Sequence, residues 1–324
     1  MRAVIPVAGF GSRLRPHTHS LPKVLLNVAG KPILAHILDE LVKQGIHKLT
    51  LITGYKGDMI KDYISNEYEF EADFVEQKEL LGLGHAIWTA APTFKGEDLM
   101  IILGDTIFDA DLSLANKEGV SSLGVKQVED PRRFGVVVQN TDGSINRLVE
   151  KPQKPISNLA IVGIYYIKNS DSLARNLQKL IDEEIKTKGE YQLTDALQLM
   201  LEEGEEMRTF PVEGWHDCGK KETMLATNRF LLERYKEKYS VDGSIIIEPS
   251  YIGKDVKIIN SIIGPYASVA DGSVVKDSII KDSIISENSN VSNISAQESI
   301  IGSNVILTGK FSELNLGSNS ELTL

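Results

Sequence analysis

The sequence predicts an α/β protein: a Rossmann-like, mostly parallel sheet covered by helices, followed by a parallel, left-handed β-helix. Three observations carry this. Over the first third of the chain, short β-rich runs alternate with helix-period runs, the pattern of a parallel sheet with helical crossovers. Helical periodicity disappears near Ser244. Beyond it, aliphatic residues recur every five or six positions with small and turn-forming residues between them, as in a β-helix whose short strands each contribute one inward side chain.

The elements follow in order. Residues 3–7 read as a strand that ends in a glycine turn. Residues 31–44 read as a helix, because Ile33, Leu34, Ile37, Leu38, Leu41 and Val42 fall on one face. Gly45 is a natural stop, since glycine accepts the left-handed conformation after a helix. Residues 48–53, 72–76 and 99–103 are further strands, and 59–64 belongs to a helix. Residues 134–139, 145–150 and 160–167 read as strands joined by turns such as 141–143. They are expected to form a smaller, more antiparallel layer packed against the sheet. Helical stretches follow at 171–186 and 221–238, the second linking two domains. In the tail, Ile252, Ile258, Ile263, Val269, Val274, Ile280, Ile285, Val291, Ile301 and Leu307 mark the repeat. A three-faced left-handed coil uses about 18 residues per turn, so the tail makes roughly four to five turns. A β-sandwich would show period-two alternation over longer runs. The expected domains are 1–240 and 241–324.

The chain has 324 residues, 42% hydrophobic and 25% charged, which suits two soluble globular domains. No apolar run approaches the roughly 20 residues of a membrane span. The N-terminus lacks the apolar core of a secretory signal, so a cytoplasmic location is expected. Cys218 is the one cysteine, so an internal disulfide is excluded and a reducing compartment fits. The net charge of −10 argues against nucleic acid or an anionic membrane as partner. An anionic small molecule can still bind where a few cations are placed locally.

The strongest motif is the run Ala8, Gly9, Phe10, Gly11, Ser12, Arg13, Leu14, followed by Pro22 and Lys23. Gly9 and Gly11 let the backbone approach a ligand closely and aim several N–H groups one way, as a phosphate cradle requires. Arg13 can then reach the β- and γ-phosphates, with Lys23 as a second cation. Leu14 stands where a dinucleotide fingerprint needs its third glycine, and no Gly-Lys-Ser/Thr follows for a Walker loop.

With these residues the chain resembles the sugar-1-phosphate nucleotidyltransferases, which include glucose-1-phosphate thymidylyltransferases and uridylyltransferases. The resemblance covers about residues 1–235 in several separated motifs. Phe10 departs from it, standing where the family carries a second glycine; the loop is expected to survive with altered local packing. The resemblance implies that Gln77 and Gly82 read the nucleotide base. A carboxamide offers a donor and an acceptor, so it can pair with the N3–H and a carbonyl of uracil or thymine. The Gly-Leu-Gly-His-Ala form that follows looks more like uridylyltransferases. His85 receives no catalytic role.

Leu103-Gly104-Asp105 ends an apolar strand, and a carboxylate there suits Mg²⁺, which prefers hard oxygen ligands and few protein contacts. In the family this aspartate is a metal ligand, and Asp217, in a segment similar to W-x-D-x-G, is its implied partner. Cys218 is expected to pack beside the site. For the sugar phosphate, the resemblance implies Gly135 beside the sugar, Glu150 accepting from sugar hydroxyls, Lys151 holding the phosphate, and Gly163 with Tyr165 as a further approach. Glu190 contacts the sugar or opens a helix.

The implied reaction moves a nucleoside monophosphate from UTP or dTTP to a sugar 1-phosphate, glucose 1-phosphate above all, with Mg²⁺. Homo-oligomerisation through the β-helix is expected. Alternatives are a guanylyl- or adenylyl-transferring member, a non-catalytic sugar-nucleotide sensor, and an acyl-transferring tail. The last is disfavoured because all six histidines precede the tail.

Overall fold

The computed structural model describes residues 1–310, so 311–324 of the expected second domain lie outside the described residues. The chain divides into two compact units, one of Met1–Leu26 with Lys31–Met224, the other of Asn27–Gly30 with the chain from Leu225 onward.

The first unit is built on four parallel strands in the spatial order Leu99–Ile102, Arg2–Pro6, Lys48–Thr53 and Glu71–Glu76. Helices Ile33–Lys43 and Gly57–Glu67 make the first crossovers, and Leu83–Thr89 lies in the next. Side chains alternate across a strand, and the core shows it. Ala3, Ile5, Leu49, Leu51, Met100 and Ile102 pack with Leu34, Leu38 and Ile60 on one face. Val4, Ile52, Leu99 and Ile101 pack with Ile87, Leu177 and Leu197 on the other. Gly45 closes the first helix at φ 69°.

The antiparallel strands do not form a separate layer, contrary to the expectation. Leu159–Ile167 pairs directly with Leu99–Ile102 and continues the same sheet. With Ser121–Gln127, Gly135–Gln139, Ile145–Glu150 and Met207–Pro211 the sheet reaches nine strands. The reason is visible in Leu159–Ile167, nine residues of which all but the first are buried. A strand apolar on both faces belongs inside a sheet. Against Ser121–Gln127 its register shifts between Ile161 and Tyr165, a bulge that contains Gly163 at φ 85°. Bulges re-aim the chain, and here the Gly163 carbonyl accepts from the Leu103 N–H at 3.0 Å. A Cβ on Gly163 would lie 2.6 Å from the Leu103 side chain.

The second unit is a left-handed β-helix of three parallel four-stranded sheets. Ile263, Val269, Val275, Ile280, Ile285 and Val291 fill its axis and are fully buried. The inward residue is Val275, not Val274, which faces partly outward. Register partners are 17 residues apart in the first rungs (Ile246 with Ile263, Ile263 with Ile280) and 16 later (Ile285 with Ile301). The coil is therefore tighter than 18, because corners are turned by single residues at positive φ such as Asn260, Asp277 and Asn293. Buried serines join the rungs: Ser261 Oγ accepts from Ser278 N at 3.1 Å, and Ser278 Oγ from Ile294 N at 3.2 Å.

The helix Lys221–Leu232 crosses the division between units, which falls earlier than the boundary expected at 240. Asn228 explains it. Its carboxamide accepts from Ala29 N at 2.9 Å and from Ser268 Oγ at 2.7 Å, and donates to the Tyr266 carbonyl at 3.1 Å. Arg229 adds a two-point pair with Asp282.

Candidate active site

Two adjoining hollows open in the first unit. The smaller, about 490 Å³, is lined by Ala8, Gly9, Lys23, Gln77 and Gly82 among others. The larger, about 900 Å³, is lined by Arg13, Gly135, Glu150, Lys151, Gly163, Tyr165 and Asp217 among others. Leu83, Leu103, Asp105 and Glu190 line both, so the hollows adjoin along these four residues, with Asp105 and Glu190 as the charged groups they share.

The loop residues reach their places for local reasons. Gly11 sits at φ 61° before the turn Ser12–Leu14. A Cβ there would lie 2.9 Å from Lys23 Cβ, so glycine is required by conformation and by contact. Leu14 is 2% exposed and anchors the turn, which leaves Arg13 projecting into the larger hollow. Nothing would meet a Cβ on Gly9, so the backbone there borders open space. Phe10 turns outward at 52% exposure and packs on Tyr55, ring centroids 5.5 Å apart, which leaves the cradle unfilled. Gly11 and Ser12 line neither hollow.

Asp105 and Asp217 come together through a two-stranded ribbon that the sequence pattern did not reveal. Thr106–Asp109 pairs antiparallel with Gly214–Asp217, and Asp217 stands opposite Thr106. The Cys218 N–H donates to the Asp105 carbonyl at 3.1 Å. Cys218 is fully buried beside the two carboxylates. Lys23 Nζ lies 2.7 Å from Asp105 Oδ2, a cation already seated on that carboxylate. Both aspartates offer only hard oxygen donors to one hollow. Among the described residues no group of three or more His, Cys, Asp or Glu converges. Such a donor set fits Mg²⁺, which keeps waters and phosphate oxygens as its remaining ligands.

In the larger hollow, Glu150 is held by its neighbours. Thr194 Oγ1 donates to Glu150 Oε2 at 2.7 Å, and Lys151 Nζ lies 3.3 Å from Oε1. A Cβ on Gly135 would lie 2.9 Å from Glu150 Oε2, so glycine is needed for close packing there. Tyr165 is enclosed, and burial pushes its phenol well above the usual range. Behind this cluster Asp195 has one oxygen without a hydrogen-bond partner. Burial pushes its carboxyl upward, and the neighbouring Glu150 charge adds to the effect. Glu190 sits before the helix Leu193–Glu202 on a segment that pairs with residues 81–84: Tyr191 N donates to the Leu81 carbonyl at 2.9 Å, and Gly84 N to the Tyr191 carbonyl at 2.8 Å. Glu190 therefore lines both hollows, although the motif left its role divided. Arg133, Gln192, Thr194 and Trp215 also line the larger hollow and were given no role from sequence. Trp215 stood within the segment similar to W-x-D-x-G, while Arg133 had only its place before Phe134 as a signal.

In the wall of the smaller hollow, Gln77 follows the strand Glu71–Glu76 and is 6% exposed. Gly82 has φ 115°, and a Cβ there would meet the Tyr191 carbonyl at 2.5 Å.

The chain matches the nucleotidyl transferase family over residues 2–234. It is 36% identical over 264 residues to the bifunctional protein GlmU of Methanocaldococcus jannaschii, covering 78% of this chain. It spans 61% of that relative's own length. It is 30% identical to a glucose-1-phosphate thymidylyltransferase of Streptomyces antibioticus, covering 95% of this chain and 94% of the relative. A solved UDP-glucose pyrophosphorylase in complex with UDP-glucose superposes with a TM-score of 0.63 at 25% identity, covering 72% of this chain and 98% of that one. No helix among the described residues is long and apolar enough to cross a membrane. The match over residues 2–234 takes in both hollows and every residue assigned to them, and by it the chain belongs to the nucleotidyl transferase family.

Proposed function

We propose that this protein transfers a nucleoside monophosphate from UTP or dTTP to glucose 1-phosphate, forming a nucleotide-sugar and pyrophosphate. One observation carries the reading: a hollow with a phosphate-loop wall and a hollow with a Glu150–Lys151 wall meet at Asp105. The names of two similar proteins, a glucose-1-phosphate thymidylyltransferase and a UDP-glucose pyrophosphorylase, support the choice of substrates.

The nucleotide occupies the smaller hollow, with its base toward Gln77 and Gly82 and its phosphates along Ala8, Gly9 and the loop. Sugar 1-phosphate occupies the larger. Glu150, oriented by Thr194, accepts from sugar hydroxyls, and Lys151 fixes the attacking phosphate. That phosphate is already anionic at neutral pH, so no side chain must remove a proton. One of its oxygens forms a bond to the α-phosphorus in line with the α–β bridging oxygen. The P–O bond to that oxygen breaks, and its electron pair leaves with pyrophosphate. Arg13 and Lys23 neutralise charge on the departing group. Asp105 and Asp217 would hold Mg²⁺, which when bound supplies charge neutralisation at the α-phosphate. Alignment of two reactants can supply on the order of 7–11 kcal/mol.

Pyrophosphate release, measured with each common nucleoside triphosphate against a panel of sugar 1-phosphates, tests the reading. Turnover is expected with UTP or dTTP and glucose 1-phosphate, and abolished by a chelator. Absence of pyrophosphate with every pair overturns it.

Gly219 offers a finer test. A methyl there would lie 2.7 Å from Asp217 Oδ1 and 3.1 Å from Arg13 Nη2. Both are ends of side chains that can move, so Gly219→Ala should fold normally while displacing both groups. Turnover is expected to fall by about 10- to 100-fold, with the melting temperature unchanged. A variant as active as the parent would show that the positions of these two groups do not matter.

A further inference from the structure

We infer that His85 fixes the orientation of the Gln77 carboxamide, so that the site presents only a hydrogen-bond acceptor to the base and selects bases that carry a ring N–H. This deepens the reading above and rests on it. Gln77 Nε2 lies 3.3 Å from the Gly82 carbonyl and 3.2 Å from His85 Nδ1. A backbone carbonyl can only accept, so the atom facing Gly82 must be the amide nitrogen. That nitrogen has a second hydrogen, and Nδ1 of His85 stands where it goes. His85 must then be the neutral tautomer with its proton on Nε2 and a lone pair on Nδ1. Burial lowers the basicity of His85, partly opposed by the charge of Glu79, in keeping with a neutral ring at pH 7.

The ring itself is held. It stacks against Tyr191 at 6.4 Å and 27°, and Trp88 lies at 5.6 Å, between centroids. Lys186 sits over the other partner of that stack, 4.8 Å from the Tyr191 ring centroid. His85 does not line either hollow, so it acts through Gln77 as a positioning residue.

With both amide hydrogens engaged, Oε1 is the only group Gln77 has left for a ligand. It accepts from the N3–H of uracil or thymine. Cytosine carries a lone pair at N3 and would face Oε1 acceptor to acceptor. A carboxamide free to rotate could serve either base, so the discrimination depends on what holds the amide.

The test measures kcat and KM for UTP, dTTP and CTP with glucose 1-phosphate in four proteins: the parent, His85→Leu, His85→Asn and the pair Gln77→Ala with His85→Leu. Asparagine can place an oxygen acceptor close to the position of Nδ1. His85→Leu is expected to reduce the UTP-over-CTP ratio of kcat/KM by about 3- to 10-fold, the size of one lost hydrogen bond. The change should appear in KM for the nucleotide, with kcat and KM for glucose 1-phosphate held. His85→Asn should keep most of the parent ratio, and in the Gln77→Ala background His85→Leu should change it no further. An unchanged ratio in His85→Leu, or an equal loss in both backgrounds, overturns the inference. Long-range ¹H–¹⁵N correlation on the parent protein is a check that needs no variant: Nε2–H is expected, and an Nδ1–H tautomer overturns the inference. A parent that turns over neither UTP nor dTTP defeats the proposed function instead, and the tautomer spectrum keeps the two failures apart.

Discussion

Asp105→Ala is expected to lower turnover at least about 100-fold, because it removes a preorganised charge from the residue that both hollows share. The fold should tolerate the change. The Asp105 side chain is 42% exposed, and its ion pair is with Lys23 at 2.7 Å. Solvent reaches the carboxylate but little of Lys23, whose side chain is 10% exposed, so leaving that ammonium without its partner should cost about 1–3 kcal/mol. Strand pairing at the site runs through the backbone, including the bond from Cys218 N to the Asp105 carbonyl, and survives loss of the side chain. Asp105→Asn separates charge from shape. It keeps the size and hydrogen-bonding reach but not the negative charge that a divalent cation requires, so it should be nearly as slow as alanine. Steady-state rates with calorimetric melting curves decide the matter. Near-parental turnover in the Asp105→Asn variant would mean that the carboxylate charge is not what this position supplies, and would remove the cation site with it.

How much of this was legible beforehand depended on distance in sequence. The parallel core was plain because each strand carries its own apolar alternation, and the 31–44 pattern became the helix Ile33–Lys43 with little change. The β-helix was plain because its repeat is local, although its true step of 16 or 17 and the inward Val275 required the register. Pairing between distant strands was not legible. Ser121–Gln127 and Met207–Pro211 reach the sheet as parallel partners, 86 residues apart at Ser121 and Met207, and nothing in either run names the other. The site divided the same way. Motif residues were found because each is chemically distinctive where it stands. Thr194 on Glu150 and the Gln77–His85 contact were not, since threonine and histidine gain their meaning from what lies across a gap. The mistaken separate layer had the same origin: 160–167 reads as one more strand until its pairing with Leu99–Ile102 is seen.

Arg13→Ala should also cost at least about 100-fold in turnover, and its interest lies in which substrate feels the loss. Arg13 sits exposed on a turn anchored by Leu14, so removing its side chain leaves the core untouched. It lines the hollow that also holds Asp105, Asp217 and Lys151. Of these groups, Arg13 is the one assigned to the departing pyrophosphate, while Lys151 is assigned to the incoming phosphate. The reverse reaction tells them apart. An enzyme variant cannot change the overall equilibrium, so the forward and reverse losses must balance across the ratio of kcat/KM values. How they divide among substrates is free. Arg13→Ala should raise KM for pyrophosphate about 10-fold more than KM for the nucleotide-sugar, and Lys151→Ala should do the opposite. Arg13→Lys should recover part of the rate, since a point charge replaces the charge but not the planar fork that grips two phosphate oxygens. If Arg13→Ala leaves pyrophosphate affinity intact while weakening sugar phosphate, the arginine serves the attacking side. The two cations would then have to exchange roles.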